Sequence, residues 1–126
     1  MVRAVRGAIQ LSETTAAAIE KAGTRLVTEM LRQNEIAEDH IVSILFSVTD
    51  DLTAANPATG LRRSGFAATP LFCAQEARVE GAMPRVIRAL LTFEAAGSGR
   101  PVPVYLDGAE RLRPDLGGGS ASGQAQ

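Results

Sequence analysis

Histidine, cysteine and lysine each occur once in these 126 residues, as His40, Cys73 and Lys21, and each scarcity excludes a kind of chemistry. A lone cysteine forms no intrachain disulfide. A nucleophilic thiol ordinarily needs a histidine base, and Cys73 lies in the apolar stretch "PLFCAQE" (70 to 76), where a small thiol is more simply core. His40 stands beside Glu38 and Asp39 with no second histidine, so the ordinary metal clusters are out of reach and a solvated position is expected. Neither "GSG" nor "GGG" has the strand-loop-helix setting or the lysine of a phosphate loop, and both read as punctuation.

An excess of one charge is also missing. Thirteen basic residues face fourteen acidic ones for a formal net charge of -1, which gives no electrostatic reason to expect nucleic acid or a membrane surface as a partner. No apolar run approaches the ~20 residues of a membrane span. "MVRAVRGAIQ" lacks the apolar core of a signal peptide, so the expected location is cytoplasmic. What the chain does have is 45% hydrophobic content, enough for one domain with a modest core. Twelve of its thirteen basic residues are arginine, which fits either recognition of planar anions or a GC-rich genome.

Along the chain, "RAVRGAIQL" (3 to 11) has the alternation of a strand, and Ser12 to Thr15 supply helix-start chemistry behind it. From Ala16 to Gln33, Ile19, Ala22, Leu26, Met30 and Leu31 recur at three and four, predicting an amphipathic helix with Glu20, Lys21, Glu29 and Arg32 in water. "HIVSILFSVT" (40 to 49) reads as a buried strand, Ala58 to Arg63 as a short helix, and "ATPLFCAQE" as a third strand. "GAMPRVIRALLTFEA" (81 to 95) reads as a second long helix with Met83, Val86, Ile87, Leu90 and Leu91 on one face, and "VPVYLDGA" as a final strand. The predicted order is β-α-β-(short α)-β-α-β, an α+β fold with a mixed sheet and two main helices on one face. The other face would need cover, which predicts a homo-oligomer. "GGGSASGQAQ" (117 to 126) is expected to be a disordered tail beyond a domain of residues 1–116.

With the usual catalytic devices missing, arginine at the ends of regular elements remains: Arg6, Arg62, Arg63, Arg88 and Arg113. Arg88, next to Ile87 at the margin of an apolar stripe, is either snorkelled outward or held for a ligand.

The pieces "VRGA" (5 to 8), "CAQE" (73 to 76), "IRALLT" (87 to 92) and "VYLDGAERLRPDL" (104 to 116) occur in that order, and together they resemble the AroH-class monofunctional chorismate mutases. The resemblance runs from Arg3 to about Leu116. It implies a homotrimer packed around a central pseudo α/β-barrel, with active sites in the clefts between subunits. It implies one reaction, the Claisen rearrangement of chorismate to prephenate in phenylalanine and tyrosine biosynthesis, without cofactor, metal or covalent intermediate. Such a reaction needs a shaped, charged site and neither nucleophile nor proton transfer.

Carried over residue by residue, Arg88 matches the arginine that donates to the ether oxygen and a substrate carboxylate, and Arg6 and Tyr105 match the carboxylate binders. Glu76 matches the acceptor for the ring hydroxyl, with Cys73 near the same hydroxyl. Leu71, Phe72, Ala58 and Thr59 match cleft-lining positions, Arg62 an arginine reaching in from the adjacent subunit, and Leu112 and Arg113 the C-terminal segment that closes over the site. Asn56 stands where an aromatic is common, Thr59 where a lysine occurs, and Phe72 replaces a smaller residue, departures that bear on affinity more than on reaction. The alternative is a non-catalytic trimeric module of similar fold that binds small carboxylates; a purely structural protein would leave Arg6 and Arg88 indifferent to substitution.

Overall fold

The computed structural model describes residues 1–97 and 99–112. Along the chain lie β1 (Val2–Gln10), α1 (Ala16–Asn34), β2 (Ile41–Val48), α2 (Pro57–Arg63), β3 (Leu71–Gln75), β4 (Val86–Glu94) and β5 (Val104–Leu106). Short 3-10 turns occupy Glu38–His40 and Ala109–Leu112. The strands form one mixed sheet in the order β3-β2-β4-β1-β5. β4 runs antiparallel to both of its neighbours, whereas β3 is parallel to β2 and β5 parallel to β1.

Local chemistry sets the helix ends. The Thr15 hydroxyl accepts from the Ala18 amide at 3.1 Å to start α1, and Glu35 stops it in the left-handed conformation (φ 53°) while the Ile36 amide returns to the Leu31 carbonyl at 2.9 Å. Asn56 caps α2, its side-chain oxygen accepting from the Ala58 amide at 2.8 Å, with Pro57 in the first turn, where its missing N–H costs nothing. That cap explains a polar residue where the resemblance leads one to expect an aromatic.

Both helices cover the same face of the sheet. Ile19, Leu26, Val27 and Met30 from α1, with Ala58 and Leu61 from α2, share one core with Val5 and Ile9, Ile44 and Phe46, and Ile87, Ala89 and Leu91 from the three central strands. Two glycines bring the helices together: a Cβ on Gly23 would lie 2.7 Å from the Cβ of Pro57, and one on Gly60 would lie 2.9 Å from the Cβ of Glu20. The α+β architecture, a mixed sheet with two helices on one face, is therefore as expected, with α1 and α2 as the helices.

The second long helix predicted over 81–95 is not there; residues 86–94 are the central strand β4. Its residues alternate strictly, Ile87, Ala89, Leu91 and Phe93 toward the helices and Arg88, Leu90 and Thr92 away from them. The cause of the misreading is that a strand with apolar residues on both faces loses its period-2 signal, and Val86, Ile87, Leu90 and Leu91 then imitate a helical stripe. Arg113 and the proposed tail 117–126 lie outside the described residues.

Opposite the helices the sheet is largely left bare by the described residues. Leu45, Phe72 and Leu90 are 47, 65 and 43% exposed. Among the described residues one end is covered, where Ala8, Val86 and Ala109 pack with Met83, Tyr105 and Leu112 in a small second cluster. The entry to β4 is clamped there. Asp51 accepts from the Arg85 amide with both carboxylate oxygens (3.2 and 3.0 Å) and from the Thr49 hydroxyl at 2.6 Å, and the Val86 amide donates to that hydroxyl oxygen at 3.0 Å. The clamp fixes where β4 begins, two residues before Arg88.

Candidate active site

The bare face is ordered by the strand register. Tyr105, Ala8, Arg88, Ser47 and Ala74 are successive cross-strand partners and make one row across all five strands. Arg6, Leu90, Leu45 and Phe72 make the adjacent row. Because side chains two apart on a strand share a face, both rows project to the same side. Between them lies a concavity of about 440 Å³ lined by Arg6, Ser47, Phe72, Arg88, Leu90 and Tyr105 among others.

Glu76 follows β3 directly. Its amide donates to the Val48 carbonyl at 2.8 Å, extending the β2–β3 pairing by one bond, and its carboxylate turns onto the row. Oε2 accepts from Arg88 Nε at 2.7 Å and from the Ser47 hydroxyl at 2.6 Å. The pair is partly shielded, the Arg88 side chain 42% and the Glu76 side chain 22% exposed. Among the described residues no carboxylate pairs with Arg6, so the concavity carries an excess of positive charge.

Arg6, Glu76, Arg88, Tyr105 and Phe72, all sequence candidates, are thus gathered on one face. The others are elsewhere in the chain. Leu71 and Cys73 pair with Ile44 and Phe46 and point with them toward the helices, against the main core. Burial pushes the Cys73 thiol above its ordinary pKa, the setting of an inert sulfur. Ala58 is buried in the core, while Thr59 and the exposed Arg62 sit on α2, away from the concavity. Leu112, like Tyr105, packs against the small cluster. Ser47, Leu45 and Leu90 were missed as site residues; the one signal for Ser47 was a hydroxyl inside an otherwise apolar strand.

Chemically, two guanidinium groups and a phenol can hold an anion with two carboxylates, and a carboxylate with one oxygen still free can accept from a hydroxyl. Among the described residues no three His, Cys, Asp or Glu side chains converge as metal ligands. The family model described as chorismate mutase type I matches residues 2–116. The chain belongs to the type I chorismate mutase family. It is 43% identical over 118 residues to chorismate mutase AroH of Thermus thermophilus, covering 92% of this chain and 97% of that one. It is 32% identical over 118 residues to chorismate mutase AroH of Bacillus subtilis, with 92 and 93% covered. Its fold is similar to that of a chorismate mutase from Clostridium thermocellum, with a TM-score of 0.84 at 38% identity over 87% of this chain and 99% of that chain.

Proposed function

We infer that this chain is a chorismate mutase, an isomerase that rearranges chorismate to prephenate, a step toward phenylalanine and tyrosine. The observation that carries the reading is the juxtaposition of Arg6, Arg88 and Tyr105 with the half-committed carboxylate of Glu76 on one concave face. Chorismate is a dianion whose enolpyruvyl arm must fold over the ring before a carbon–oxygen bond breaks as a carbon–carbon bond forms. Arg6 and Tyr105 hold the carboxylates and select the folded conformer. Arg88 faces the ether oxygen, on which partial negative charge develops, so its attraction grows toward the transition state. The free oxygen of Glu76 accepts from the ring hydroxyl, and its charge balances positive charge on the ring.

The working unit is a homotrimer. The bare Leu45, Phe72 and Leu90 surface supports this, since an apolar sheet face is ordinarily covered. So does the placement of Thr59 and the exposed Arg62 on α2, away from this chain's own concavity, where they are available to a neighbour's cleft. Ala58, 2% exposed as a whole residue, belongs to the core and offers a neighbour no contact. The test is the loss of chorismate ultraviolet absorbance with the purified chain, in the presence and absence of a chelator. Rearrangement to prephenate in both is expected; binding of chorismate without turnover would make the chain a carboxylate-binding module instead.

A further inference from the structure

We propose that Ser47 is a positioning residue that keeps the Arg88–Glu76 pair to a single bond, reserving the terminal nitrogens of Arg88 and one oxygen of Glu76 for substrate. The inference rests on the chorismate mutase reading of the concavity. Arginine and carboxylate groups in contact prefer two parallel hydrogen bonds, which satisfy both partners. Here that arrangement is not adopted. Nε is the only Arg88 nitrogen in a hydrogen bond among the described residues, and it meets Oε2 alone. The second donor to Oε2 is the Ser47 hydroxyl at 2.6 Å.

Both ends of that contact are rigid. Ser47 lies directly across β2–β4 from Arg88, and the Glu76 backbone is tied to the Val48 carbonyl, so the hydroxyl and the carboxylate meet across the shortest path the sheet allows. With the hydroxyl in place, Oε2 is shared between two donors and Oε1 takes no hydrogen bond among the described residues. Without it, the carboxylate is free to rotate until its two oxygens engage Nε and a terminal nitrogen together. The ion pair would improve while the site deteriorated. A hydroxyl with a merely structural role has the opposite signature, a loss of stability at unchanged chemistry.

The experiment compares wild type, Ser47→Ala and Ser47→Thr in steady-state chorismate turnover and thermal unfolding, and repeats Ser47→Ala in the Glu76→Gln background. Ser47→Ala should lower kcat about tenfold, the effect of one hydrogen bond to a charged group, with KM changed far less and the unfolding midpoint not lowered. Ser47→Thr, which keeps the hydroxyl on a strand that tolerates β-branching, should restore most of kcat. In the Glu76→Gln background the further loss from Ser47→Ala should nearly vanish, because the residue acts through Glu76. An active wild type with an equally active Ser47→Ala overturns the proposal. So does a Ser47→Thr variant as slow as Ser47→Ala, or a loss that persists in full with Glu76→Gln. A wild type that leaves chorismate unchanged is a different result and overturns the activity itself.

Discussion

At Arg88 the distinction between charge and geometry is open to direct test. If its guanidinium meets charge that develops only as the ether bond breaks, Arg88→Ala should lower kcat about a hundred- to a thousandfold, as for one oxyanion donor, with KM affected less. Arg88→Lys keeps the charge but not the planar fork that bonds Glu76 through Nε and leaves the terminal nitrogens for the proposed substrate contacts, so most of the rate should stay lost. Turnover kinetics of the two folded variants check both. Cys73 is the contrasting case. Its thiol is held above the ordinary range by desolvation, so the neutral form persists to higher pH than in a free peptide. Alkylation by iodoacetamide at pH 8 should therefore be slower than that of a short cysteine peptide, and its rate should level off at a higher pH than the peptide's. Arg6, Glu76, Arg88 and Tyr105 were legible because each is a charged or phenolic side chain inside a recognisable run. Ser47 was not, since its meaning lies in a register that aligns residues 47, 76 and 88, and no local pattern encodes that alignment.

Among the elements, the helix layer depends on two absent side chains. Gly23 on α1 and Gly60 on α2 let the helices touch almost backbone to backbone, with Pro57 and Glu20 filling the space each leaves. Gly23→Ala would gain helix propensity but force its Cβ to 2.7 Å from a proline ring that cannot turn aside. A net loss of about 1–3 kcal/mol is expected from overpacking, measured by denaturant unfolding. Because α2 carries Thr59 and Arg62, the same variant should raise KM if those residues serve a neighbour's cleft. The amphipathic α1 was legible from its single apolar stripe, and β1, β2, β3 and β5 from short apolar runs between turn residues. β4 was not, because the central strand of a sheet is apolar on both faces and its Leu90–Leu91 pair serves two layers at once. The strand most critical to the site is thus the one whose pattern is least distinctive.

For the whole molecule, the exposed row of Leu45, Phe72 and Leu90 next to two arginines sets the expectation for assembly. Sedimentation should give a species of three chains, and specific activity should fall on dilution below the concentration at which it dissociates, as each cleft loses its neighbour's residues. A single-chain species with full activity would contradict this. The strand order carries a consequence for biosynthesis as well. β1, synthesised before the other strands of this sheet, has β4 and β5 as its neighbours among the described residues, so it finds no partner in the sheet until Val86–Glu94 has left the ribosome. At roughly 5–20 residues per second this leaves a strand with two unpaired edges waiting for several seconds. β2 can meet β3 much sooner. Chaperone demand should therefore fall on the nascent β1 segment, and translation stalled before residue 86 should yield a chain whose helices have only part of the sheet to pack against.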